Sequence, residues 1–218
     1  MDNDHNQKYF SSRFSEDQKR KKAWKYLTNY LQRYVSESDS VLELGAGYSY
    51  FINEIRAKSK YSIDLFEDLG KFSSSDVKYH VGDVTNLSFL KDSSIDVFFA
   101  SNLFEHLDRQ QLELMLQEID RVGSPNFRVI VIQPNYRLCS KRYFDDYTHV
   151  TVFTDISMRD WMQSHDYRCL VCKPKFLPLT VKSRLSLLTN LIPLYIRFPI
   201  RPLAGQMLLI FSKDSKIN

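Results

Sequence analysis

The most informative stretch of the chain for chemistry is "ELGAGYS" at residues 43–49, which joins an apolar run to a helix-like pattern. Gly45 and Gly47 have no side chain, so the backbone there can adopt positive φ angles and a ligand can approach it closely. A helix that starts just after them offers unpaired backbone N–H groups. The stretch therefore predicts the seat of a nucleotide-like ligand at a strand-to-helix turn.

Two aspartates follow later apolar runs in the same way. Asp64 ends the run "YSIDL", and Asp83 ends the segment "HVGD". An acid after the second strand of a nucleotide-binding sheet accepts hydrogen bonds from ribose hydroxyls. Together with the glycines, Asp64 and Asp83 predict a ligand of the adenosine type.

Two cofactor classes share this arrangement. A dinucleotide fingerprint, G-x-G-x-x-G, requires glycine at position 50, where the chain has Tyr50. Glu43 would repel a pyrophosphate, whereas it would attract the sulfonium or ammonium group of S-adenosylmethionine. The residues therefore favour S-adenosylmethionine and disfavour an NAD-dependent oxidoreductase.

The segment "QPNYRLCSKRYFDDYTHVTVFT" at residues 133–154 is dense in side chains that bind polyols. It follows the fifth predicted strand, where we expect the acceptor pocket. The acceptor-binding candidates are Asn135, Tyr136, Arg137, Tyr143 and Tyr147.

His149 is the first candidate for a catalytic base or orienting group, because Asp145 and Asp146 are near enough in sequence to fix its tautomer and raise its basicity. His106 is the second candidate. Binding of a divalent ion by the two aspartates is the alternative. Because no third ligand is evident beside them, we expect no metal.

The cysteine pattern "CLVC" at residues 169–172 has a spacing that can bind zinc. Its surroundings resemble a strand, where residues three apart point to opposite faces. We therefore expect Cys169 and Cys172 to be ordinary thiols. With Cys139 they make an odd set of three, which argues against a disulfide framework.

The elements that must position these residues alternate between strand and helix. Apolar runs predict strands at 40–44, 61–65, 77–81, 95–101, 127–133, 168–173 and 206–213, with helices at 48–57, 109–122 and 154–164. This alternation predicts a doubly wound, Rossmann-like α/β fold with a mostly parallel seven-stranded sheet.

An amphipathic helix is predicted at residues 15–35, with Ser15 as its N-cap. The lead-in at residues 8–14, which contains Tyr9, Phe10 and Arg13, is either a lid over the ligand or a loose terminus. The basic run at residues 19–22 lies on the solvated side of the helix and has no nucleic-acid motif around it, so we expect no nucleic-acid partner.

The chain has 218 residues, a net charge of +4 and an ordinary balance of 43% hydrophobic and 26% charged residues, which excludes a disordered or fibrous protein. No signal-like apolar region follows the N-terminus, so we expect a cytoplasmic protein. Residues 168–213 carry only basic charges and form a basic, apolar C-terminal insertion. Residues 176–204 are interrupted too often to span a bilayer. They pack on the core, contact a membrane surface or bind an anionic substrate.

The segments "ELGAGYS", "SIDL", "GDV" and "SNLFEHL" resemble successive motifs of class I S-adenosylmethionine-dependent methyltransferases, with Ser49 in place of a third glycine. The resemblance implies that residues of four loops bind the cofactor. Glu43, Gly45, Ala46 and Gly47 would contact the methionine end of the cofactor, and Asp64 would contact the ribose. Asp83 and Val84 would contact the adenine. Ser101 and Asn102, which follow strand four, would close the site.

Residues 133–154, with the later segments "FLPLTVKSRL" and "GQMLLI", resemble the methyltransferase subgroup associated with polysaccharide biosynthesis. The resemblance implies O-methylation of a sugar hydroxyl on a glycan or small molecule. The sequence leaves open whether a lipid or a nucleotide carries this acceptor. A catalytically inactive accessory subunit that binds the cofactor is the alternative. We expect one domain over residues 1–218, with a helix or lid at 1–36, the cofactor half at 37–134 and the acceptor half at 135–218.

Overall fold

The strands of the chain form a single seven-stranded sheet in the computed structural model, which describes residues 18–178, 192–198 and 201–213. The strands are β1 (Ser40–Leu44), β2 (Ser59–Asp64), β3 (Val77–Val81), β4 (Ile95–Ser101), β5 (Gly123–Pro134), β6 (Tyr167–Pro178) and β7 (Ala204–Lys213). Their order in the sheet is β3-β2-β1-β4-β5-β7-β6. All neighbours pair in parallel except that β7 is antiparallel to both β5 and β6. The predicted fold class is confirmed.

The helices flank this sheet and are mostly short. They are α1 (Gln18–Leu31), α2 (Tyr50–Glu54), α3 (Leu69–Phe72), α4 (Arg109–Val122), α5 (Tyr136–Tyr143), α6 (Asp155–Ser164) and α7 (Ile192–Arg197). Helix α2 is shorter than the predicted 48–57 because Ser49 has a left-handed φ of 54° before it and Ile55 is extended after it. The predicted limits of α4 are confirmed.

Helix α1 packs its apolar side on the sheet, as its pattern predicts. Leu27 and Leu31 are buried, and Trp24 meets Phe99 of β4 edge to face at a centroid distance of 6.0 Å. The basic run at residues 19–22 is largely exposed. The proposed Ser15 cap and the lid residues Tyr9, Phe10 and Arg13 lie outside the described residues.

Apolar side chains fill both faces of the sheet. In β4, Phe98 packs with Leu42 and Met115 on one face. The next residue, Phe99, packs with Phe51 on the other face, with ring centroids 3.7 Å apart. Burial on both faces explains why the central strands are nearly continuous apolar runs in the sequence.

The chain reverses its direction of travel across the sheet between β1 and β4. From β1 it moves outward through β2 to β3, and then returns to place β4 on the other side of β1. The loops after β1 and β4 diverge at this point, which is where parallel α/β sheets bind their ligands. The fold therefore brings residues 45–49 beside residues 101–106.

The expectation that Cys169 and Cys172 point to opposite faces is wrong. Strand β6 has a register shift between Cys169 and Val171, so Cys169 pairs with Phe211 and Cys172 pairs with Leu209. Both thiols therefore pack against the same apolar cluster. The bulge adds the one residue that restores a common face. Both cysteines are free thiols.

No helix within 18–178, 192–198 and 201–213 is long and apolar enough to cross a membrane. Residues 179–191 and 199–200 of the segment proposed for membrane contact lie outside the described part of the chain. Helix α7 is the described helix of that segment, and Ile196 is its buried residue.

Helix α4 begins with a capping box that we expect to stabilise the fold measurably. The Asp108 carboxylate accepts a bond from Gln111 N at 2.9 Å, and Gln111 Oε1 accepts one from Asp108 N at 3.0 Å. Asp108→Ala removes this cap, so the free energy of unfolding in urea should fall by about 1 kcal/mol. The neighbouring exposed Arg109→Ala serves as the control and should change it by less than about 0.5 kcal/mol. Equal losses in both variants would contradict the role of the cap.

Candidate functional site

The loop after β1 lies close to two neighbouring segments. The N–H groups of Gly45 and Ala46 both donate to Ile63 O of β2, at 2.9 and 3.2 Å. Gly45 and Gly47 have φ angles of 67° and 50°, a region that favours glycine. A Cβ atom on residue 45 would lie 3.0 Å from Leu103 Cδ1, at the end of β4. The positive φ angles predicted for the glycines are present, and the close neighbour of Gly45 is Leu103. Close approach of a ligand to the loop stays a prediction.

Asp64 holds this loop in place from the end of β2. Its Oδ2 accepts from Gly47 N at 2.7 Å and its Oδ1 accepts from Phe66 N at 2.9 Å. Burial raises the pKa of Asp64, and these two N–H groups oppose that rise. Each carboxylate oxygen has a second lone pair, which a ribose diol can use. The ribose contact itself stays a prediction.

Glu43 lies on the face of the sheet that α2 covers. Its side chain is 4% exposed, and its Oε2 accepts from Ile52 N in the first turn of α2 at 3.0 Å. Burial raises the pKa of Glu43 well above its usual value, and the negative charge of Asp64 raises it further. A nearby cation would favour the charged form of both acids. Contact between Glu43 and a sulfonium stays a prediction.

The two remaining cofactor loops have defined turns. Asp83 Oδ1 accepts from both the N–H and the hydroxyl of Thr85, at 2.9 and 2.8 Å, while Val84 is buried. Asp83 therefore forms a turn of its own, and its predicted adenine contact remains untested.

Asn102 follows β4 with a left-handed φ of 51°. Its Nδ2 donates to Ser101 Oγ at 3.2 Å, and its Oδ1 accepts from Gln206 Nε2 at 2.8 Å. Gln206 of β7 was not predicted as a site residue. The sequence feature that could have identified Gln206 is a glutamine in an otherwise apolar strand, "GQMLLI".

The same loop continues into a 3-10 turn at Phe104–His106, which contains a residue that sequence reasoning missed. Glu105 is 1% exposed, and neither carboxylate oxygen has a hydrogen-bond partner among the described residues. Burial, with a smaller contribution from the charge of Asp146, raises the pKa of Glu105 to about 8. A buried polar group without a partner is costly, so it marks a place where a ligand or ion is expected.

The two predicted histidines meet at this turn. The N–H groups of Val150 and Thr151 donate to Glu105 O at 2.8 and 3.2 Å, which holds the segment after α5 against the end of β4. The rings of His106 and His149 consequently lie 4.9 Å apart, centroid to centroid. Burial, followed by the charge of His149, lowers the pKa of His106 to about 4. His106 is therefore neutral near pH 7.

The structure gives His149 a partner that the sequence did not predict, since its Nδ1 donates to Tyr143 O at 2.6 Å. The orientation of His149 by Asp145 and Asp146 stays a prediction. Asp146 accepts from the Thr148 hydroxyl at 2.7 Å, and that hydroxyl lies 2.9 Å from His106 Nδ1. Asp146 thus orients His106 through Thr148. Asp145 is exposed and lies 3.7 Å from Arg142 Nε.

Two of the predicted acceptor residues have structural roles. Asn135 is 1% exposed and caps α5, and its amide donates to Asp155 Oδ1 at 2.9 Å. Tyr143 is also 1% exposed, and its hydroxyl donates to Thr151 O. The sequence analysis placed both in the acceptor pocket because they belong to a polar segment after the fifth predicted strand.

The other acceptor candidates face outward. Tyr136 is half-buried, Arg137 reaches Asp155 at 3.4 Å with 54% of its side chain exposed, and Tyr147 is 63% exposed. Their contact with an acceptor stays a prediction.

Comparison with known proteins agrees with this site. Residues 42–131, which contain the glycine loop, Asp64, Asp83 and the turn at Glu105, match the family model described as a methyltransferase domain. No curated protein matches the chain in sequence.

Solved structures with the same fold come from distant sequences. An S-adenosylmethionine-dependent methyltransferase from Archaeoglobus fulgidus has a TM-score of 0.64 at 17% identity, covering 87% of this chain and 94% of that one. A putative methyltransferase in complex with a methyltransferase activator from Haloferax volcanii has a TM-score of 0.68 at 15% identity, covering 90% and 92%. A possible histamine N-methyltransferase from Thermotoga maritima has a TM-score of 0.64 at 17% identity, covering 97% and 95%. The TM-scores show a shared fold, and at these low identities they show the fold alone.

Proposed function

We propose that this chain, whose residues 42–131 match the family model described as a methyltransferase domain, transfers the methyl group of S-adenosylmethionine to a hydroxyl group of a sugar or a similar small polar acceptor. One observation carries the proposal: Leu103 contacts the glycine loop, and two residues later the same turn carries Glu105 and His106 against His149. A cofactor seat and a cluster of proton-accepting groups therefore adjoin at the ends of β1 and β4.

The cofactor seat suits a cationic nucleoside. Glu43 and Asp64 are two acids whose pKa values burial raises, so a positive sulfonium or ammonium near them recovers electrostatic energy. The diphosphate of NAD would meet the same two acids and be repelled. The neighbours described as S-adenosylmethionine-dependent support the same assignment.

The reaction is an in-line displacement. A lone pair of the acceptor oxygen forms a bond to the methyl carbon, the C–S bond breaks with its electron pair remaining on sulfur, and the hydroxyl proton leaves to the histidine cluster or to water. Holding oxygen and carbon in line supplies much of the acceleration. His149, with His106 beside it, receives or orients the proton at the acceptor end.

The acceptor assignment rests on the side chains around the cluster. Residues 101–104 read Ser-Asn-Leu-Phe after β4 and therefore lack the Asn/Asp-Pro-Pro-Tyr sequence of methyltransferases that act on nucleic-acid nitrogens. The half-buried Tyr136 and the exposed Arg137 and Tyr147 offer aromatic faces and hydrogen bonds suited to a sugar, carried on a lipid or a nucleotide or belonging to a glycan. The basic segment 176–204 would place a lipid-linked acceptor at a membrane surface from the cytoplasmic side.

A cofactor-binding accessory subunit is the second candidate. The neighbour from Haloferax volcanii is itself a putative methyltransferase bound to an activator, so the fold also takes part in such pairs. The distinction lies in whether the purified chain turns over alone.

Calorimetry and a transfer assay test the proposal together. We expect S-adenosylmethionine and S-adenosylhomocysteine to bind and NAD not to bind. We also expect methyl-labelled S-adenosylmethionine to label a nucleotide sugar or oligosaccharide from a panel that includes amines and oligonucleotides. Mass spectrometry of the product should place the methyl group on a hydroxyl oxygen.

Three outcomes would contradict parts of the proposal. If NAD bound and S-adenosylmethionine did not, the cofactor assignment would be wrong. Labelling of an amine or an oligonucleotide in preference to any sugar would replace the acceptor. Cofactor binding with no transfer to any acceptor until a second protein is added would establish the accessory subunit.

A further inference from the structure

We infer that Glu105, His106 and His149 form a binding site for a divalent transition-metal cation of the Zn²⁺ or Mn²⁺ class, with one position left for the acceptor hydroxyl. Each of the three residues offers a ligand atom, and these atoms all lie within 4.8 Å of one another. Two imidazoles with one carboxylate are a frequent ligand set for such ions.

The buried carboxylate is the first argument. Glu105 is 1% exposed, and both of its oxygens lack a hydrogen-bond partner in the described part of the chain. Proteins bury carboxylates where a partner compensates their desolvation, and for a group facing two imidazoles that partner is a cation.

The tautomers of the two histidines are the second argument. The Thr148 hydroxyl donates its only proton to Asp146, so it must accept from His106 Nδ1–H. His149 Nδ1–H likewise donates to the carbonyl of Tyr143, which can only accept. When each ring is neutral, its lone pair is then on Nε2. Coordination through Nε2 leaves these two hydrogen bonds intact.

The same two hydrogen bonds are the third argument. Metal-binding histidines usually donate their other ring nitrogen to a carbonyl or to a group backed by a carboxylate, which fixes the ring and raises its basicity. His149 has the carbonyl of Tyr143, and His106 has Thr148 backed by Asp146 at 2.7 Å. The hydrogen bonds that orient the histidines of a metal site are therefore already formed.

The geometry needs only a small contraction. Metal–ligand bonds of about 2.0–2.2 Å place the ligands of a tetrahedral ion roughly 3.4 Å apart, so the three atoms would move inward by about 1 Å. Glu105 is anchored by the bonds of its carbonyl to Val150 and Thr151, which tie it to the segment that carries His149. The two half-buried histidines provide the side from which an ion enters.

The catalytic consequence rests on the proposed function, whereas the site itself does not. A cation at the cluster would bind the acceptor oxygen and lower the pKa of its hydroxyl. The hydroxyl proton then leaves to water, the oxygen forms its bond to the methyl carbon, and the C–S bond breaks. The neighbouring glycine loop and Leu103 place the methyl donor on the same side.

Metal binding to the full chain, with any affinity tag removed, tests the inference. We expect one Mn²⁺ per chain by electron paramagnetic resonance and tight Zn²⁺ binding by competition. Glu105→Gln and His149→Gln should each weaken binding at least about 100-fold, because each removes one of three ligands. Manganese is included because the thiolates of Cys169 and Cys172 compete for zinc but hardly for manganese.

His165→Gln is the matched control, since it removes a histidine that pairs with Glu113 at 2.7 Å, away from the cluster. It should leave metal binding unchanged. Retained S-adenosylmethionine binding shows that each variant is folded. No bound ion in the wild-type chain, or equal binding by Glu105→Gln, would overturn the site. Methyl transfer that survives complete chelation would overturn its catalytic role, whereas metal binding without cofactor binding would overturn the proposed function alone.

Discussion

Asp64→Ala is expected to weaken the binding of S-adenosylmethionine at least about 100-fold. The carboxylate accepts from Gly47 N and Phe66 N, and so it fixes the glycine loop and would supply its remaining lone pairs to the ribose. Hydrogen bonds to a charged group contribute about 1.5–3 kcal/mol each, and losing two of them corresponds to roughly a 100-fold change or more in Kd. Isothermal titration calorimetry with S-adenosylmethionine and S-adenosylhomocysteine measures the effect.

Asp68→Ala provides the control for this measurement. Asp68 belongs to the next turn of the chain, has 48% of its side chain exposed and pairs with Lys71 at 2.8 Å. Its removal should change Kd less than about threefold, since exposed ion pairs contribute little. The Kd of Asp64→Asn should lie between those of Asp64→Ala and Asp68→Ala. The amide keeps one acceptor oxygen, but its NH₂ group faces a backbone N–H. Unchanged affinity in Asp64→Ala would contradict the ribose contact.

The sequence predicted the central strands well because they are buried on both faces. The limits of β1 and β4 agree with the apolar runs, and α4 begins directly after its capping residue Asp108. In these elements local pattern and tertiary packing favour the same answer. The positions of Gly45 and Asp64 follow from the same agreement, since both lie at strand ends.

The acceptor side was harder to predict because its important contacts are long-range. Glu105 follows an apolar strand end and gave no periodic signal, and its importance appears only when the segment after α5 packs against it. Asn135 and Tyr143 have polar groups satisfied by residues that the sequence places 8 to 20 positions away. Composition indicates that such a segment is polar, but it does not indicate which polar atoms face inward.

The bulge in β6 shows the same limit at the scale of one residue. A regular strand would separate Cys169 from Cys172, but the extra residue at Leu170 places both on one face. Side-chain alternation fixes faces only while the register is continuous. The position of this bulge is set by the pairing of β6 with β7, which comes later in the chain.

His149→Ala is expected to lower kcat/KM by about 10²- to 10⁴-fold while the affinity for S-adenosylmethionine stays within about threefold. The loss follows whether the imidazole accepts the hydroxyl proton or holds a cation, because both roles act on the acceptor oxygen. The cofactor seat is formed by other loops, after β1 and β2. Steady-state transfer of labelled methyl groups and calorimetry measure the two quantities separately.

His149→Gln guards this experiment against a packing defect, since the His149 ring lies 4.6 Å from Tyr143 and alanine would leave space there. Glutamine fills much of that volume but lacks the imidazole, so its turnover should fall as far as that of alanine. His165→Ala, which removes a histidine from the far end of α6, should retain wild-type turnover. If glutamine restored activity, His149 would act through packing, and the proton-handling role would pass to His106.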